Sequence, residues 1–318
     1  MTPDLKTSLD AIRRRIDLRL EAVLPQTLAG QTALTEALRD GVLAPGKRLR
    51  PLMTVVVAED LGGATEAAID AGCAVEMVHA ASLVLDDLPC MDDATMRRGL
   101  PAVHIGHGED VAVLVAIGAL AGSSQLLATI PDLGAEARLE AIAILSRAVG
   151  VRGLVAGQFE DLRGGAAERP VARIAAANGL KTGSLFSAAV EIGGVIAGAR
   201  EPDRAELRLF AQELGHAFQL VDDLLDQLAA AAELGKDVGQ DRNKSTIVAM
   251  MGPAAVQRRI ERHASAAERS LACVFGPGSR MQGLVDLAIG ATLRAAMPAE
   301  RAPRPAEAGA GEREVGLA

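Results

Sequence analysis

The stretch from Ala71 to Asp93, AGCAVEMVHAASLVLDDLPCMDD, decides the fold. Val75, Val78, Ser82 and Leu85 recur three and four residues apart, which puts them on one helical face. This apolar helix runs straight into four aspartates within eight residues: Asp86, Asp87, Asp92 and Asp93. A helix C-terminus disfavours negative charge, and like charges beside apolar surface repel one another. A divalent cation removes that cost. All-oxygen donors suit Mg²⁺, with Mn²⁺ as a substitute, and Mg²⁺ shares its carboxylates with substrate phosphates. The plain alternative is a solvated helix end.

A second cluster repeats the arrangement. Leu214, Phe218, Val221 and Leu225 keep the helical spacing, and Asp222, Asp223 and Asp226 sit among them. Asp222 and Asp226 share a face at i and i+4, which destabilises a helix unless positive charge lies opposite. Basic clusters alternate with the acidic ones. Gly46-Lys47-Arg48-Leu49-Arg50-Pro51 puts cations in a loop that opens a helix, and Arg97-Arg98-Gly99 follows the first acidic run. Lys181-Thr182-Gly183-Ser184 precedes another apolar segment, and Gly235-Lys236-Asp237 and Lys244-Ser245-Thr246 follow the second. Arginine suits bidentate phosphate contacts and lysine acts as a point charge. Each basic patch alone reads as solvated surface. Together, above an Ala/Leu/Val-rich interior, they suit an amphiphile with a diphosphate head and a hydrocarbon tail.

Composition closes other routes. The 318 residues are 49% hydrophobic, with five Phe, no Trp, no Tyr and a net charge of −8. An acidic chain so poor in rings is unsuited to nucleic acid or to a polybasic membrane anchor. Cys73, Cys90 and Cys273 are too scattered for a disulfide framework or a zinc site, and a reduced cytoplasm fits them. The N-terminus lacks the apolar stretch of a signal peptide. The longest apolar run, Val111 to Gly122, falls short of the ~20 residues of a spanning helix, so no stable membrane insertion is expected. Short loops at Ala44-Pro45-Gly46, Gly62-Gly63, Gly106-His107-Gly108, Pro131-Asp132, Gly164-Gly165 and Pro202-Asp203 separate long helices. The reading is one all-α domain over 1–296, a helical bundle. The Pro-, Ala- and Gly-rich tail over 297–318 is expected to be disordered.

These motifs, in this order over about residues 40 to 250, make the chain resemble the trans-isoprenyl diphosphate synthases of the polyprenyl synthetase family. The match comprises both aspartate-rich motifs, the GKxxRP box, the RRG, the Lys-Thr pair and the Phe-Gln before the second motif. The resemblance implies an all-α bundle around a cavity, Mg²⁺ dependence and a homodimer. It implies that Asp86, Asp92 and Asp222 bind Mg²⁺, supported by Asp87 and Asp226. Lys47, Arg50, His79 and Arg98 would hold the diphosphate of isopentenyl diphosphate. Arg97, Lys181, Thr182, Gln219 and Lys236 would hold the allylic diphosphate. Lys181 and Lys236 would also place charge for catalysis beside Asp86 and Asp222. Gln158 and Asp161 match the GQxxD segment and share a face. Asn243 replaces the usual Gly before the final lysine, so Lys236 is preferred to Lys244.

An ideal helix aligns Asp86 with Asp93 better than with Asp92, which the family uses. Pro89 is expected to break the helix and re-aim Asp92. Product length is expected to follow the helix back from Asp86. Ala81 lies five residues earlier, about 7.5 Å along the axis. Ala81 and Ser82 are small, and Val78 and Val75 below them are medium-sized. The spacer Pro89-Cys90 resembles bacterial geranylgeranyl synthases, which favours a C20 product. A side chain near Leu114–Ile117 is the alternative floor, and C15 is the alternative product.

Other classes compete. Glu76-x-x-His79 and Glu213-x-x-His216 resemble the two Glu-x-x-His pairs of di-iron bundles, a reading that leaves both aspartate clusters idle. A class I terpene cyclase would leave GKRLRP and RRG without work. A non-catalytic regulatory subunit has no need of intact aspartates.

Overall fold

The computed structural model describes residues 3–164, 170–233 and 247–288, without the side chains of 3, 4, 226–233, 249 and 288. Lys236 and Lys244 lie outside the described residues, as does the 297–318 tail.

Among the described residues the chain is helical almost throughout. The order is α1 (Pro3–Ala22), α2 (Thr32–Val42), α3 (Leu49–Asp60), α4 (Thr65–Asp86), a two-stranded ribbon of β1 (Met96–Arg97) and β2 (Leu100–Pro101), α5 (Val103–His107), α6 (Glu109–Ala128) and α7 (Ala135–Val149). Then come α8 (Leu154–Arg163), α9 (Val171–Asn178), a π-turn (Gly179–Gly183), α10 (Ser184–Ile196), α11 (Glu201–Glu233), α12 (Ile247–Met251), α13 (Pro253–Phe275) and α14 (Arg280–Ala288).

α4 carries the quoted sequence and sits centrally. It packs on α1, α2, α3, α6 and α10, and buries fifteen of its residues. A helix buried on nearly every side needs no amphipathic stripe, which explains its near-continuous apolar sequence. α10 touches both α4 and α11 and so fixes the spacing of the two acidic helix walls. It approaches α3 closely at Gly193, where a Cβ would lie 2.6 Å from the Thr54 carbonyl oxygen. Pro202 lies in the first turn of α11 instead of interrupting it, because a proline is tolerated there. One contiguous core runs from Leu9 to Leu284.

The uninterrupted run Val111 to Gly122 is shorter than the helix that contains it, α6, so the expectation drawn from that run is corrected. Both α4 and α6 are long and apolar enough to cross a membrane by length and composition. The apolar window of α4 is 78% buried inside the protein, whereas that of α6 is only 33% buried. Val113, Leu114 and Ile117 of α6 face outward.

Candidate active site

α4 stops at Asp86, three residues before Pro89, which cannot donate to a helical ladder. The chain then doubles back. The Asp92 N–H donates to the Asp86 carbonyl at 2.9 Å, and Asp93 adopts a left-handed φ of 50°. The break returns the Asp92 backbone to Asp86, which resolves the mismatch of the ideal helix. Burial pushes the Asp86 carboxyl up to about 6, with Lys181 opposing the shift and Asp92 adding to it. Asp87 points elsewhere. It is buried and accepts from Arg97 Nε at 2.9 and 3.2 Å, with a further contact from Arg97 Nη2. Asp87 thus anchors Arg97, whose charge also acts on Asp86 and Asp92.

Arg98 and Gly99 form the turn of the β-ribbon, both with positive φ, at 55° and 81°. Positive φ at both central residues is the geometry of a type I′ hairpin. The turn brings Arg98 over Gly46, where a Cβ would meet the Arg98 guanidinium at 2.6 Å.

The cations of GKRLRP diverge. Lys47 lines a cavity of about 250 Å³ with Lys6, Arg13 and leucines of α1, α3 and α14. Arg48, left-handed at φ 49°, is buried and bonds Glu76 and Asp17, each at 2.8 Å. Arg50 is in the first turn of α3, stacked 4.4 Å above the Phe186 ring centroid. Arg50 Nη1 and Arg98 Nη2 both reach His79 Nε2 at 3.4 Å. A guanidinium only donates, so this ring nitrogen is the acceptor. Burial, then Arg50 and Arg98, hold the His79 pKa well below its usual value. Burial lowers the Arg50 pKa to about 10, against the pull of Glu76 and Asp222. Arg50 Nε is buried without a partner among the described residues. Arg50, His79 and Arg98 therefore come together, and Lys47 faces the cavity beside α1 and α14.

The Lys181-Thr182 pair lies on the π-turn, a feature without a signal in hydrophobic spacing. Lys181 Nζ donates to Asp161 at 2.8 Å. The Thr182 hydroxyl donates to Gln219 Oε1 at 2.9 Å, and Gln219 Nε2 donates to Asp223 at 2.9 Å. Asp222, half-buried on α11, acts electrostatically on Arg50. The Asp226 side chain lies outside the described residues. Gln158 is buried with both amide atoms unpartnered among the described residues. Buried orphans of this kind mark places where a ligand supplies the missing bonds.

Ala81 and Val78 are fully buried, and the Ser82 hydroxyl donates to the His79 carbonyl at 2.8 Å. The alternative floor is corrected in part. Leu114 and Ile117 point outward, and only Val115 and Ala116 between them face inward. The di-iron reading fails on geometry. Glu76 neutralises Arg48, His79 sits between two guanidinium groups, and Glu213 bonds His263 at 2.6 Å.

The donor set fits Mg²⁺: Asp92 is close enough to Asp86 to raise the cost of charging it, and every donor is oxygen. No three His, Cys, Asp or Glu side chains among the described residues converge enough to hold an ion alone. Mg²⁺ bound through a few carboxylates and completed by phosphate oxygens needs no such cage.

An all-α bundle that carries carboxylates and cations on neighbouring helices defines a class suited to binding diphosphates. Comparison narrows it. Residues 31–270 match the polyprenyl synthetase family. The chain is 42% identical over 273 residues to the geranylgeranyl diphosphate synthase of Pantoea ananas, covering 85% of this chain and 89% of that protein. It is 41% identical over 284 residues to the enzyme of the same name from Pseudescherichia vulneris, covering 89% and 91%. An apo FPP/GFPP synthase structure from Zymomonas mobilis superposes with a TM-score of 0.80 at 30% identity, covering 92% of this chain and 100% of that one. The chain belongs to the polyprenyl synthetase family.

Proposed function

We propose that this chain condenses isopentenyl diphosphate head to tail with an allylic diphosphate, in a Mg²⁺-dependent reaction that ends at C20 geranylgeranyl diphosphate. The observation that carries the reading is Lys181, which is held by Asp161 and acts on the raised carboxyl of Asp86 across the site. This places positive charge where a leaving diphosphate gains negative charge. The two bacterial relatives support the product length.

Asp86, Asp92 and Asp222 would hold Mg²⁺, which would supply Lewis-acid charge to the leaving group. Arg50, Arg98 and neutral His79 orient isopentenyl diphosphate. Lys181, Thr182 and Gln219 orient the allylic diphosphate. The allylic C–O bond breaks, and its electron pair leaves with the diphosphate. The isopentenyl double bond attacks the resulting cation, and a proton lost from the adduct goes to the departed diphosphate. The apolar walls exclude the water that would quench the cation.

The outward apolar face of α6 supports a homodimer in which a second copy, rather than lipid, covers Val113, Leu114 and Ile117. Three free cysteines fit a cytoplasmic setting.

The test is incubation of purified protein with radiolabelled isopentenyl diphosphate, Mg²⁺ and dimethylallyl, geranyl or farnesyl diphosphate. A Mg²⁺-dependent C20 product, lost in Asp86→Ala, is expected. Failure to elongate any of the three starters would overturn the reading.

A further inference from the structure

Lys181 and Thr182 stand on a π-turn, a backbone form that is rare and persists where its surroundings impose it. Two helices impose it here, each in the same way. On the α8 side, a Cβ on Gly157 would lie 2.8 Å from both the Leu180 carbonyl carbon and Lys181 Cα, and closer still to Lys181 N. On the α11 side, a Cβ on Gly215 would lie 2.8 Å from Gly183 Cα and 3.3 Å from Gly183 N. All these atoms are backbone and have nowhere to move. The start of the turn is braced as well, since a Cβ on Gly179 would meet His216 Cε1 at 3.0 Å.

Each helix adds a second point of grip. Asp161, four residues after Gly157, holds Lys181 Nζ at 2.8 Å. Gln219, four residues after Gly215, accepts the Thr182 hydroxyl at 2.9 Å. Residues four apart share a helical face. Each helix therefore touches the turn's backbone with a glycine and one of its functional side chains with a polar residue. Neither grip works without close approach, because a side chain at either glycine pushes the helix off the turn and draws Asp161 or Gln219 away from its partner.

We propose that Gly157 and Gly215 are positioning residues for Lys181 and Thr182, the backbone halves of two matched grips that fix the allylic-diphosphate side of the site. This rests on the proposed condensation activity. It concerns the allylic side only, since Arg50, His79 and Arg98 are carried by α3, α4 and the β-ribbon.

The test compares steady-state kinetics of Gly157→Ala and Gly215→Ala with the wild-type chain, in Mg²⁺, varying each substrate separately. The expected result is a kcat at least about tenfold lower, with the KM for isopentenyl diphosphate within about twofold of wild type. Gly118→Ala is the steric control, because its Cβ would find only Leu38 Cδ2 at 3.9 Å, and it should match wild type. Adding Gly157→Ala to Lys181→Ala should cost less than about threefold more, since both changes act through one residue. Wild-type kinetics in either glycine variant, a parallel rise in both KM values, or multiplicative losses in the double variant would overturn the proposal. If one variant does not fold, the other carries the test. Misfolding of both while Gly118→Ala folds would assign these glycines to the fold and overturn the positioning role. A wild-type chain that does not elongate would overturn the activity itself, and is read separately from the variants.

Discussion

The Arg50 guanidinium carbon lies over the Phe186 ring, 4.4 Å from its centroid, and Phe186 in turn meets Phe218 edge-on with ring centroids 5.6 Å apart. Two of the five phenylalanines therefore join α3, α10 and α11 under one half-buried cation. A desolvated cation on a ring face gains about 0.5–2 kcal/mol.

Phe186→Leu keeps an apolar side chain in this place and removes the π face. The KM for isopentenyl diphosphate should rise by about 2- to 30-fold, the equivalent of that interaction energy. The KM for the allylic substrate should stay near wild type. Steady-state kinetics with each substrate varied separately would show the split, and an unchanged isopentenyl KM would rule out a positioning role for the ring.

The pKa of Asp86 sets an acid limit. Its carboxyl titrates near 6 in the fold, above the usual carboxylate value, chiefly because of burial. The folded state thus holds this proton more tightly than the unfolded state does. The associated stability is fully present below the unfolded value near ~3.9 and is lost as pH rises through about 6. Metal binding runs the other way, because protons compete with Mg²⁺ for Asp86. At limiting Mg²⁺, kcat/KM should fall below an apparent pKa near 6, and added Mg²⁺ should move that limb to lower pH. A limb that does not respond to Mg²⁺ would assign the titration to another group.

Much of this site is legible in the sequence because it rests on local rules. The apolar period of α4, the break at Pro89 and the two aspartate runs are readable from spacing and charge alone. Other parts depend on tertiary contacts. Lys47, Arg48 and Arg50 look equivalent in a string of letters, yet one faces the cavity beside α1 and α14, one is a buried strut and one reaches the site. Asp87 reads as one more carboxylate of the run, and only the fold shows that Arg97, ten residues on, folds back to hold it. The π-turn adds a residue to a helical turn without changing the apolar period enough to be noticed. Gly215 lies in no recognisable motif, and only the backbone of Gly183 gives it meaning. The outward face of α6 is hidden in composition for the opposite reason, since a helix apolar all round does not say which side another element covers.

Arg48 and Glu76 form an ion pair, 5% and 2% exposed, that joins the start of α3 to the middle of α4. Removing one partner of such a pair leaves an uncompensated charge and costs about 3–5 kcal/mol. Asp17, bonded to the same guanidinium and half-exposed, offsets part of the loss. Glu76→Gln should therefore destabilise by about 3 kcal/mol, read from denaturant midpoints, while the folded fraction keeps wild-type KM values. An unchanged midpoint would show that Asp17 alone neutralises Arg48.

Ala81 tests the cavity floor. It is fully buried one turn and a half before Asp86, and its side chain is small. Ala81→Phe should shift the product from C20 to C15, scored by chromatography of the dephosphorylated alcohols. Overpacking is expected to cost about 1–3 kcal/mol of stability, so product length is compared at equal amounts of folded protein. Retention of C20 by an active variant would move the floor to another helix, with Val115 and Ala116 of α6 as the inward-facing candidates.

The same helix carries the last prediction. Leu114 is 55% and Ile117 58% exposed, and Val113 stands beside them on the outer face. Exposed apolar side chains grouped along a helix mark an interaction surface more often than isolated ones do. Burying them against a second copy gains about 25 cal/mol for each Å² of apolar surface covered. A carboxylate at the centre of that face would be desolvated without a partner, and the matching position on the second copy would repeat the charge. Ile117→Asp should therefore convert a dimer to a monomer in sedimentation velocity at micromolar protein. Its far-UV spectrum should be retained, because residue 117 is not part of the core. A wild-type chain that sediments as a monomer, or a variant that stays dimeric, would remove α6 from the interface.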